Sequence, residues 1–138
     1  MSEVRISDLV LTDEHSTIEL DDTLVSAAEA IIALPRGVLI VLDEGKAKGV
    51  ITSVQLLQAV ANGNNMAEST AADIMNMDLM KVPLDGLLHE LVPEMAERRP
   101  HAIVAVDSDG NFAGYFSPND YREAIIIWRK IASEITVT

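Results

Sequence analysis

The chain has 138 residues, room for one compact domain or two small ones at roughly 150 residues per domain. Apolar residues make up 49% of it, which excludes a disordered acidic tail, and 22 acids against 10 bases give a formal charge of −12, ill suited to holding nucleic acid through bulk charge. The lack of cysteine excludes disulfides, thiolate nucleophiles and cysteine-based zinc sites, and with no membrane-length apolar run and no basic-then-apolar leader after Met1, the expectation is a cytoplasmic protein that contacts no membrane.

In chain order, an extended stretch over 15–20 comes first, then a helix carrying Leu24, Ala27, Ala28, Ile31 and Ile32 at helical spacing. Residues 38–42 read as a short apolar strand and Asp43-Glu44-Gly45 as a turn. A second strand runs into Gly49, so the pair is expected to be an antiparallel hairpin. A helix closes this half, and Asn62-Gly63-Asn64-Asn65 breaks the chain. The second half follows the same order: an extended stretch over 79–82, a helix with Leu87, Leu88, Leu91, Val92 and Met95, a strand over 102–106, a turn over 107–111, a strand into Gly114 and a final helix. Pro93 lies inside the first of those helices, where its missing N–H predicts a kink.

This order is an internal repeat. Gly49-Val50-Ile51-Thr52-Ser53-Val54-Gln55-Leu56 recurs 65 positions later as Gly114-Tyr115-Phe116-Ser117-Pro118-Asn119-Asp120-Tyr121, and Asp8-Leu9-Val10 recurs at the same offset as Asp73-Ile74-Met75. Two halves, 1–66 and 67–138, each β-α-β-β-α, are therefore expected. Halves this small bury too little of their surface to stand alone comfortably, so the two sheets should pack together as one mixed α/β (α+β) module.

The start of each closing helix carries the most specific local signal. Ser117-Pro118-Asn119-Asp120 offers a capping hydroxyl, proline at the first helical position and an acid at the third; Thr52-Ser53-Val54-Gln55 is the same pattern with Thr and Gln. One reading is a capping box, which needs no ligand. The other uses the same geometry for binding: a helix N-terminus favours phosphate, and a carboxylate such as Asp120 is a bidentate acceptor for two adjacent sugar hydroxyls. Both readings compete for the same oxygens, and the spacing leaves both open.

These segments, with Asp73-Ile74-Met75 and the strand end Val104-Ala105-Val106-Asp107, resemble cystathionine β-synthase (CBS) domains; the pair resembles a CBS tandem, or Bateman module, from about Val4 to Trp128. The resemblance implies a pseudo-twofold pair with two clefts that bind adenosine-containing ligands such as AMP, ADP, ATP or S-adenosylmethionine. It implies Ser117 at phosphate and Asp120 on the ribose hydroxyls, with Asn119 in the same motif. Asn76, Lys81, Val82, His101 and Ala102 would then lie near base and phosphate. The first repeat departs from the family pattern, because Gln55 stands where the family has Asp, although Thr52 is retained. An amide loses the charge-assisted contact to a diol, so Thr52 and Gln55 mark a weaker first-repeat site.

Other chemistry finds little support. His15, His89 and His101 share no metal spacing, the turn from Asp107 to Asn111 lacks the remaining ligands of a calcium loop, and no P-loop, dinucleotide fingerprint or nucleophile elbow is present. The last helix carries Ala124, Ile125, Ile126, Ile127, Trp128 and Ile131, too wide an apolar surface for one packed face, which suggests a homodimer contact near Trp128 or a core position for it. The resulting expectation is a free-standing, non-enzymatic regulatory module without catalytic residues, metal or obligatory cofactor. It binds an adenosyl ligand mainly in the second repeat and signals to an unidentified partner protein by inter-repeat movement. The alternative is a ligand-free assembly scaffold, which Gln55 favours.

Overall fold

The computed structural model describes residues 4–9, 11, 15–34 and 37–137, with the side chains of 119, 131, 132 and 134–137 left aside. Val10 and the side chains of Asn119 and Ile131, all singled out in the sequence, lie outside the described residues. The elements run β1 (His15–Glu19), α1 (Leu24–Ala33), β2 (Val38–Asp43), β3 (Lys46–Ile51), α2 (Ser53–Ala61), α3 (Ala71–Ile74), β4 (Leu79–Pro83), α4 (Leu88–Arg98), β5 (Ala102–Val106), β6 (Phe112–Phe116) and α5 (Pro118–Val137). A 3-10 turn, Ile6–Asp8, precedes β1.

Two three-stranded sheets form, in the orders β1-β2-β3 and β4-β5-β6. β1 is parallel to β2, with α1 as the crossover, while β2–β3 and β5–β6 are the antiparallel hairpins expected from their short turns. Glu44 (φ 51°) and Gly45 (φ 83°) bridge the paired Asp43 and Lys46, a two-residue turn of the type that matches strand twist. In the other hairpin Asp107 Oδ1 accepts the N–H groups of Asp109 and Asn111, each at 2.9 Å, and so organises its loop locally. The ladders slip once each, between Val41 and Leu42 and between Ala105 and Val106, at matching places in the two repeats.

The chain divides into two compact units, Asp13–Leu79 and Met1–Thr12 with Met80–Thr138. In the first, α1 packs Leu24, Ala27 and Ile31 on Leu39, Val41 and Ile51; in the second, α4 packs Leu88, Val92 and Met95 on Ile103, Ala105 and Phe116. The middles of the central strands are apolar because both their faces are buried there: Leu39, Ile40, Val41 and Val104 are fully inaccessible. Ile32, expected in the buried stripe of its helix, is 77% exposed. It follows Ile31 by one residue, a rotation of about 100° out of the stripe through Leu24, Ala27 and Ile31. Leu87, expected in the second helix, is the extended residue just before α4, and Pro93 sits within α4, which continues to Arg98.

Each repeat's leading segment belongs to the compact unit formed by the other repeat, and the bonding is the same in both. Ile6 N–H donates to Gly86 O and Ser7 N–H to Leu84 O, and Leu88 N–H to Val4 O; correspondingly, Ala71 donates to Asp22 O, Ala72 to Leu20 O, and Leu24 to Ser69 O. The repeated acids explain themselves here. Asp8 Oδ2 accepts the N–H of Arg5 and Asp73 Oδ2 that of Thr70, both at 2.8 Å, capping the leading turn of each repeat.

Candidate ligand-binding site

Five consecutive pieces of the second unit line an open cavity of about 440 Å³. α4 contributes Met95 and Ala96, and the connection after it Arg99, Pro100 and His101; β5 adds Ala102 and Ile103, and β6 adds Tyr115 and Phe116. Ser117, Pro118 and Tyr121 close it at the start of α5. The wall is mostly apolar, with Tyr115, Ala102 and Ile103 each 8% exposed, while the mouth carries Arg99 and His101, both exposed. The volume and the mix of apolar wall with few polar groups are those of a small-molecule site.

Local chemistry accounts for each wall. α4 ends because Arg99 adopts a left-handed conformation (φ 48°, ψ 59°), donating its N–H to Met95 O, and Pro100 follows. α5 begins at Pro118, whose fixed φ suits the first helical position and whose missing N–H is no loss there. Ser117 N–H and Ser117 Oγ both donate to Asp120 Oδ2, at 2.9 and 3.0 Å, and Ser117 Oγ accepts the N–H of Asp120 at 3.1 Å. Both residues are buried, Ser117 at 5% and Asp120 at 3% exposure.

The first repeat builds the same box with an amide. Gln55 Oε1 accepts the N–H of Thr52 at 2.7 Å and its hydroxyl as well, while Gln55 Nε2 donates to Val50 O at 3.4 Å. The second-repeat position therefore presents an acceptor-only carboxylate, and the first-repeat position a donor bonded back to its own strand.

The candidate residues separate accordingly. Ser117, His101 and Ala102 line the cavity; Asp120 is hydrogen-bonded to Ser117 and is not part of the lining. Lys81 is exposed on β4, and Val82 is fully buried in the core of the second unit. Asn76 belongs to the other compact unit, where its backbone pairs with Val50 and its Oδ1 accepts the N–H of Asp78 at 2.9 Å. Arg99, Tyr115, Tyr121 and Met95 line the cavity without having been singled out as binding residues. For Arg99 the available signal was a bulky residue between a helix end and a proline, where glycine is the usual choice. Among the described residues no group of three or more His, Asp or Glu is placed to hold a metal ion, and no helix is long and apolar enough to cross a membrane.

Known proteins share this architecture. Residues 71–127 match the family model for the CBS domain. A CBS domain pair/ACT domain protein from Thermotoga maritima superposes with a TM-score of 0.68 at 18% identity, covering 89% of this chain and 97% of that one. The cytosolic domain of the Mg2+ channel MgtE, solved in complex with ATP, gives a TM-score of 0.62 at 21% identity over 79% of this chain and 44% of that one. A homoserine O-acetyltransferase of Methanococcus vannielii is 22% identical over 124 residues, 89% of this chain; the chain spans only 25% of that relative's length.

Proposed function

We propose that the chain is a tandem CBS-domain (Bateman) module, a non-enzymatic regulatory domain whose second repeat binds an adenosine-containing ligand; the CBS-domain match over residues 71–127 and the fold shared with a CBS domain pair support this. The observation that carries this reading is the cavity between the end of α4 and the start of α5. Its apolar wall of Met95, Ile103, Tyr115 and Phe116 suits a purine, and Ser117 lies at its edge. The MgtE domain solved with ATP supports the ligand class. Ser117 occupies Asp120 Oδ2 twice, so a ribose contact through that oxygen must open the box. Ligand is read out by a partner as a change in the relation of the two repeats, which requires that it bind one arrangement better than the other. The module acts in the cytoplasm as a homodimer, and the match to a quarter of an acetyltransferase fits a regulator that serves a separate catalytic unit.

A thermal-shift panel with AMP, ADP, ATP, S-adenosylmethionine and NAD tests the reading, since a ligand held only by the folded state must raise Tm by mass action. A rise with at least one of them, lost in Asp120→Asn, is the expected result. No rise with any of them favours the second reading, an assembly scaffold, which the closed Ser117–Asp120 box supports.

A further inference from the structure

We propose that Arg99 makes the cavity selective for phosphate-bearing ligands over neutral or cationic ones; for the group filling the apolar wall, this rests on the nucleoside reading above. The expected anion site, the start of α5, has little to offer. The N–H groups of Ser117, Asp120 and Tyr121 are bonded to Asp120 Oδ2, Ser117 Oγ and Ser117 O, and Pro118 has none. With those groups committed, an anion in this cavity gains most from donors elsewhere on its wall.

Arg99 and His101 are at hand. They line the cavity, and no lining residue among those described is acidic. Arg99 holds its place at a cost, because a left-handed conformation disfavours a non-glycine residue by roughly 1–2 kcal/mol. Neither of the ordinary reasons for a cation at a helix end explains it. The capping bond to Met95 O uses only the backbone, and Arg98 already supplies the positive charge that a helix C-terminus favours. A residue kept in a strained conformation at the mouth of a cavity is kept for its side chain, and a guanidinium matches a phosphate with two parallel hydrogen bonds. On a chain of charge −12, such a local cation is also what admits an anion at all. The sulfonium of S-adenosylmethionine meets the opposite field.

Calorimetric titration of the full chain with adenosine, AMP, ADP, S-adenosylmethionine and inorganic pyrophosphate tests this, using Arg99→Gly and Arg99→Asn. Both replacements suit a left-handed backbone, so each keeps the native Tm or raises it. The expected result is AMP or ADP binding at least about tenfold tighter than adenosine to the native chain, falling to within about threefold in both variants with adenosine unaffected. Pyrophosphate binding is likewise lost in both variants. An unchanged AMP-to-adenosine ratio in the variants, or S-adenosylmethionine binding as tightly as AMP, overturns the proposal while leaving the nucleoside reading in place. Arg99-dependent pyrophosphate binding without any nucleoside binding overturns the nucleoside reading and upholds anion selectivity. No binding of any probe overturns both.

Discussion

Asp120 Oδ2 takes two hydrogen bonds from Ser117, one from its N–H at 2.9 Å and one from its hydroxyl at 3.0 Å, in a pair almost wholly removed from solvent. The same carboxylate is the proposed ribose acceptor, so its capping and binding roles have to be separated by experiment. Gln55 shows how: in the first repeat an amide oxygen accepts the equivalent capping bond, from Thr52 N–H. Asp120→Asn should keep the cap, cost about 1 kcal/mol or less in urea unfolding, and weaken AMP at least about tenfold through the lost charge. Asp120→Ala leaves the Ser117 N–H buried without that acceptor and should cost about 2–3 kcal/mol. Equal stability losses from the two variants would mean that the charge, not the acceptor, holds the helix start.

Gln55→Ala is expected to lower stability by about 1 kcal/mol, the ordinary value of a cap, because it removes the acceptor for Thr52 N–H. It should leave the AMP thermal shift intact, since Gln55 belongs to the other compact unit. Loss of the shift in this variant would make the first repeat part of the binding site.

The repeated glycines Gly49 and Gly114 are held by lack of space, not by backbone conformation. A Cβ on Gly49 would lie 2.7 Å from Met75 Cγ and Sδ, and one on Gly114 2.7 Å from Leu11 Cβ. Either Gly→Ala change should cost about 1–3 kcal/mol by pushing a leading segment off its sheet. The double variant Gly49→Ala/Met75→Ala should recover part of that loss, as two of the three close atoms go. Gly114→Ala/Leu11→Ala should recover little, because the Cβ in the way remains. Double-mutant cycles from urea denaturation measure both.

On α5, Trp128 is half-buried and packs on the core of the second unit, whereas Ile126 is 67% exposed. Trp128→Ala should therefore lower Tm through lost packing. Ile126→Asp should leave Tm nearly unchanged and, where the proposed homodimer forms through α5, halve the mass seen by light scattering. A dimer of unaltered mass in Ile126→Asp would move the contact away from this face of the helix.

The features legible from residue order alone are the ones built from near neighbours. Hydrophobic period, turn composition and the three-residue spacing of the helix starts act within a turn or two of chain, so the repeat, its β-α-β-β-α order and the hairpins could be read directly, while the spacing of Ser117 with Asp120 and of Thr52 with Gln55 offered capping as one of two readings. Packing decided the rest, because it joins groups distant in sequence: Ile6 with Gly86, Ala71 with Asp22, Met75 against Gly49. No periodicity announces that a leading segment will belong to the other repeat's compact unit; that follows from which apolar surfaces remain to be covered once each sheet has formed. Arg99 illustrates the same division. As a letter it is one of ten bases, and it became a candidate binding residue only when the end of α4 and the strands β5 and β6 closed a cavity around its position.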